Sequence, residues 1–75
     1  MPDLFKTDKE LLWEWLKVKQ YAKTSEVIAF GLANFSNRAE RNARVLAEEG
    51  LIRRMEEQKR IRYFGNIKEE VWEVV

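Results

Sequence analysis

Ser36-Asn37-Arg38-Ala39-Glu40-Arg41-Asn42-Ala43-Arg44-Val45-Leu46-Ala47-Glu48-Glu49-Gly50-Leu51-Ile52-Arg53-Arg54 is the stretch on which the fold turns. Ala39, Ala43 and Leu46 recur at positions i, i+4 and i+7, the spacing of one buried helix face, and Gly50 is the residue type that most readily ends a helix. With Asn37 as the cap, Glu40 completes a capping box, in which cap and third residue each satisfy a backbone N–H of the other. Two of the three inward positions are alanines, so the helix can approach its neighbours closely. At about 100° per residue, Arg38, Arg41 and Val45 share the opposite side, with Asn37 at the leading end and Arg44 on the flank.

Beyond this helix come Leu51-Ile52-Arg53-Arg54-Met55, the polar connection Glu56-Glu57-Gln58-Lys59, and Arg60-Ile61-Arg62-Tyr63-Phe64-Gly65. Alternation from Arg60 to Tyr63 and the β-branched or aromatic residues on both sides predict a basic β-hairpin. There is no Asn-Gly or Asp-Gly pair, so its tip is longer than two residues. Successive strand residues face opposite sides, so Arg53 and Arg54 diverge whereas Arg60 and Arg62 share a side.

Upstream, Thr7-Asp8-Lys9-Glu10 has capping-box form and opens a helix over about residues 8–20. Leu12, Trp15, Leu16 and Lys19 follow its spacing, Leu11 and Val18 widen the apolar face, and Trp13 lies on the flank. Tyr21-Ala22-Lys23 reads as a short extended link before Thr24 and Ser25, both good caps. A second helix follows over about 26–33, with Ile28, Leu32 and Phe35 inward and Asn34 as terminator. Gly31 within it costs about 1 kcal/mol relative to alanine, a sign of either close backbone packing or a loosened last turn. Downstream, Ile67, Val71 and Val74 share helical spacing after Asn66-Ile67-Lys68-Glu69, yet Val71-Trp72-Glu73-Val74-Val75 has strand propensity. The tail at 66–75 is thus a short helix or a strand, suited to packing or self-association.

Seventy-five residues with nine aromatics and well-mixed charge form one small α+β domain, 1–75, with its core at about 8–65. The net charge of +1 is unevenly divided. All seven arginines lie between Arg38 and Arg62, while the first 35 residues carry five lysines and five acids. A positive band on a nearly neutral protein favours an anionic partner, nucleic acid above all. With no cysteine and no histidine, disulfides, thiolate metal sites and the usual neutral-pH acid–base group are excluded. Ser25 and Ser36 have no base beside them, and Gly31, Gly50 and Gly65 are isolated, so neither a nucleophile system nor a phosphate-cradling loop is present. The expectation is a non-enzymatic protein without cofactor, metal or small-molecule substrate. No apolar run approaches the roughly 18 residues of a membrane span, and Met-Pro-Asp-Leu-Phe-Lys lacks signal-peptide form, so a cytoplasmic location is expected.

Helix, extended link, helix, turn, helix, hairpin is an order that resembles the winged helix-turn-helix family over about residues 8–65. The likeness is strongest from Ala39 to Ile52, where Leu46-Ala47-Glu48-Glu49-Gly50-Leu51-Ile52 is similar to recognition helices that lead into a first wing strand. Gly31-Leu32-Ala33-Asn34-Phe35 departs from the family's compact turn, and Glu56 and Glu57 put acids at the wing tip. The resemblance implies a third helix in the major groove of DNA and a wing along the backbone. Arginine can pair doubly with guanine and asparagine with adenine, so Ser36, Asn37, Arg38 and Arg41 are the candidates for base reading. Arg44, Arg53, Arg54, Lys59, Arg60 and Arg62 suit the phosphates, which fix orientation without reading sequence. The expected function is sequence-specific binding of double-stranded DNA by a small transcriptional regulator; the alternative is a winged-helix protein-interaction module. Such modules pair on two-fold sites, so a homodimer through the Trp13 or Trp72 region is expected.

Overall fold

The computed structural model describes residues 7–35 and 38–75, which form a small α+β domain of four helices and three strands. In chain order these are α1 (Asp8–Lys19), β1 (Tyr21–Lys23), α2 (Thr24–Asn34), α3 (Ala39–Glu48), β2 (Ile52–Arg54), α4 (Glu57–Phe64) and β3 (Val71–Val74). The strands make one antiparallel sheet in the order β1-β3-β2, so the last segment of the chain is the central strand.

The Thr7 capping box forms as its spacing predicts. The Glu10 N–H donates to Thr7 Oγ1 at 3.2 Å, and the Thr7 N–H donates back to the Glu10 carboxylate at 3.5 Å. Leu12 and Leu16 lie on the buried side of α1. Val18, expected to widen that side, is 84% exposed. Gln20 takes a positive φ of 71°, rare for a residue with a Cβ, and turns the chain directly into β1.

At the start of α2 the unpaired backbone N–H groups find distant partners. The Thr24 N–H and hydroxyl both donate to the Glu70 carbonyl, at 2.9 and 2.8 Å. The Ser25 N–H donates to the Glu69 carboxylate at 2.8 Å, and Glu26 accepts from the Lys23 N–H at 3.1 Å. These bonds satisfy donors that no helix can satisfy internally. The inward side of α2 is Val27 and Gly31, with Phe30 and Phe35 half-buried, rather than Ile28 and Leu32, which are 37% and 64% exposed. Gly31 is buried, and the helix continues regularly past it to Asn34 with the Phe35 N–H on the Gly31 carbonyl at 2.8 Å, so the last turn is not loosened.

In α3, Ala39, Ala43 and Leu46 are buried as their spacing predicts. The capping role of Asn37 lies outside the described residues. Gly50 closes the helix at φ 81°, with its N–H on the Ala47 carbonyl and the Leu51 N–H on the Leu46 carbonyl. That paired pattern is the common glycine-terminated helix ending.

Ala22, Ile52 and Trp72 lie in the main core with Leu12, Leu16, Val27, Ala39, Ala43 and Leu46, so α1, α2 and α3 cover one face of the sheet. The opposite face carries Tyr21, Arg53 and Glu73 in one register row. There α4 attaches through Lys59 to Glu73 and through the rings of Tyr63 and Phe64 edge-on to Tyr21, at 5.5 and 5.6 Å.

One expectation is therefore corrected and one open choice is resolved. Residues 60–63 are part of a helix and not the second strand of a wing, and the tail forms the central strand that the hairpin lacks. Glu56-Glu57-Gln58-Lys59-Arg60 are strong helix formers. The acids come first and the bases last, which suits the helix dipole, and Gly65 terminates α4 at φ 78°. Four alternating residues are too few to outweigh those terms. Val71, Trp72 and Val74 meanwhile have the β-branched and aromatic character of a strand buried on both faces.

Candidate functional site

The side of α3 turned away from the core exposes Arg38, Arg41, Arg44 and Glu48, with Val45 half-buried among them. Arg38 stands at the position just before the first helical residue, and Arg41 follows one turn later. Ser36 and Asn37 lie outside the described residues. Arg38, Arg41 and Asn42 line a cleft of about 650 Å³ shared with Thr7, Asp8, Lys9 and Glu10, so the beginnings of α1 and α3 stand side by side. Lys9 bridges the same two helices further along through Glu49, at 3.0 Å. Arg41 has no ion-pair partner among the described residues, which leaves its fork of donors available at the surface.

The six arginines and lysines expected at phosphates are divided by the fold. Arg44 pairs with Glu40 one turn back at 2.9 Å. Arg53 and Lys59 converge on the Glu73 carboxylate at 3.1 and 2.6 Å. Arg60 is held 3.8 Å from Glu70, largely covered, with its Nε buried and unbonded. Arg54 lies over the Trp72 ring, 5.5 Å from the centroid. Arg62 is exposed on α4 without an ion pair among the described residues. Two residues apart on a helix, Arg60 and Arg62 diverge by about 200°, so the shared side expected of a strand is lost.

Glu73 was not singled out by sequence reasoning, which took it as one acid of an acidic tail. At 6% exposure it is instead the buried polar residue that ties β2 and α4 to β3. The available signal was its alternation with Trp72 and Val74 in a strand-forming run. Burial pushes its carboxyl up, but hydrogen bonds from Lys59 and Arg53 outweigh burial and hold it below the usual carboxylate range. Glu69 is lowered by the Ser25 backbone and side-chain hydrogen bonds. For Glu26, burial acts upward and is outweighed by the Lys23 backbone and Lys19 bonds.

A glutamate whose folded-state pKa is depressed contributes stability above its unfolded value, about 4.3, and loses it as pH falls through the folded value. The protein should therefore lose stability in acid below about pH 4.3. Glu73→Gln should cost about 1 kcal/mol at neutral pH, its partners being partly solvated, and should flatten the acid limb. Urea midpoints at pH 7 and pH 3 measure both effects; an unchanged pH dependence in the variant would contradict this role.

No helix among the described residues is long and apolar enough to cross a membrane, and no cluster of potential metal ligands occurs among them. No family model, curated protein or solved structure matches this chain.

Proposed function

We propose that the domain binds double-stranded DNA in a sequence-specific manner, as a small regulator of the winged helix-turn-helix type, with α3 in the major groove. The observation that carries this reading is the exposed leading half of α3, where Arg38 and Arg41 stand at successive turns and the acid between them, Glu40, is drawn back to Arg44. The order of elements supports it too: a strand between the first two helices is zipped to the strand after α3 through β3. Arg38 and Arg41 read bases, a role expected of Ser36 and Asn37 as well, and Arg44, on exchanging Glu40 for a phosphate, meets the backbone. Because Arg53, Lys59 and Arg60 face acids, recognition rests on the helix, and Arg54 and Arg62 are the remaining phosphate contacts.

A module of this size covers one half-site, so a two-fold site calls for a second copy. Trp72 is 4% exposed within the domain, which favours the half-buried Trp13 on α1 as the centre of that contact. Selection of bound duplexes from a random pool, followed by titration of the winner, tests the reading. Each base-reading arginine is worth about 1–3 kcal/mol, so Arg38→Ala and Arg41→Ala should each weaken binding about tenfold or more. Affinity should fall steeply with salt, by about 0.9 in the logarithmic slope per phosphate neutralised. Affinity unchanged in the double variant would refute the proposal.

A further inference from the structure

Trp72 leaves a buried donor unused. An indole N–H can only donate, and the Trp72 Nε1 has no hydrogen-bond partner although the residue is 4% exposed. Buried polar atoms without partners are rare in folded proteins and mark a ligand, an ion or a water. Trp72 also lines a cleft of about 470 Å³ between the later half of α3 and β2. Ala47 and Ile52 give that cleft an apolar floor, and Arg44, Arg53 and Arg54 stand around it against a single acid, Glu48.

The three guanidiniums are not equivalent. Arg44 is paired with Glu40 and Arg53 with Glu73. Arg54 has no acid partner among the described residues and rests over the Trp72 ring as an exposed side chain. It therefore covers the indole and can swing to receive an anion, forming charge-assisted hydrogen bonds about twice as strong as neutral ones. Trp72 lines the cleft beside an apolar floor of Ala47 and Ile52, and a guanidinium over such a floor is the mixture typical of small-molecule sites.

We propose that this cleft binds a small phosphate monoester carried on a flat apolar body, an aryl phosphate in chemical class. The phosphate pairs with Arg54 and accepts the Trp72 indole N–H, while the ring lies against Ala47 and Ile52. Arg44 and Arg53 add long-range attraction across the mouth. The cleft shares Arg44 and Arg54 with the backbone contacts proposed above but does not include Arg38 or Arg41, and binding of a free aryl phosphate there does not require a duplex.

The assigned Trp72 indole N–H resonance of the intact chain reports this directly. Titration with phenyl phosphate should shift it saturably, and inorganic phosphate should saturate only at much higher concentration. Arg54→Ala should weaken the phenyl phosphate response about tenfold or more, and Arg54→Lys should retain part of it. The same spectra show that the variants are folded. A resonance that phenyl phosphate does not move would overturn the proposal, as would equal saturation by inorganic phosphate or an unchanged response in Arg54→Ala. A short duplex that moves the resonance where phenyl phosphate does not would transfer the oxyanion to the nucleic-acid backbone and equally overturn it.

Discussion

Truncation after Glu70 is expected to leave the chain without a cooperative fold. β1 and β2 are not hydrogen-bonded to each other, and each pairs only with β3. Removing residues 71–75 strips Val71 and Trp72 from the interior, together with the carboxylate that Arg53 and Lys59 share. Burial of each large apolar side chain is worth about 1.5–3 kcal/mol, and a domain this small starts from a total near the lower end of about 5–15 kcal/mol. Losing both side chains and every inter-strand bond exceeds that margin. Circular dichroism of the truncated chain should show reduced helix content and a broad, non-sigmoidal thermal change. A sharp transition like that of the intact chain would mean that the helices are stable without the sheet.

Leu16→Ala should destabilise the protein by about 2–5 kcal/mol, whereas Val18→Ala, two residues away, should stay within about 0.5 kcal/mol of the parent. Leu16 is fully buried and Val18 is 84% exposed. The first change removes transfer energy and leaves a cavity amid Leu12, Val27 and the rest of the core, and the second removes two methyl groups already in water. Denaturant midpoints measure the contrast. Similar losses at both positions would show that α1 is rotated from the orientation described.

Much of α3 was legible because three terms agree there: the spacing of Ala39, Ala43 and Leu46, the polar side between them, and Gly50 at the end. The Thr7 capping box and the extended link at Tyr21–Lys23 were equally readable, since both depend on a few adjacent residues. The second half of the chain was not. Arg60 to Tyr63 alternate over too short a span to separate a strand from a helix, and the charge order from Glu56 to Arg62 carried the decisive information. In the tail, the choice between helix and strand depended on Tyr21 and Arg53 across the sheet, partners that spacing along the chain does not reveal. The same holds for the cations. Their number was visible at once, but pairing of Arg53 and Lys59 with Glu73 is a property of the assembled sheet. For Ile28 and Leu32, the apolar character of α2 on nearly every side left its inward direction undetermined, and only the burial of Val27 and Gly31 in the assembled fold fixes it.

The attachment of α4 divides the domain into two tiers of stability. This helix has no buried residue of its own and holds to the sheet by the Lys59 and Arg60 ion pairs and the ring edges of Tyr63 and Phe64. Such segments open at a fraction of the free energy of global unfolding. An excursion of α4 would leave the three-helix core intact, yet it would uncover the Glu73 carboxylate and release Lys59 and Arg60 from their acids. Opening of this one short helix would leave the net charge as it is but would redistribute it, baring cations on the helix and carboxylates on and just before the strand it leaves.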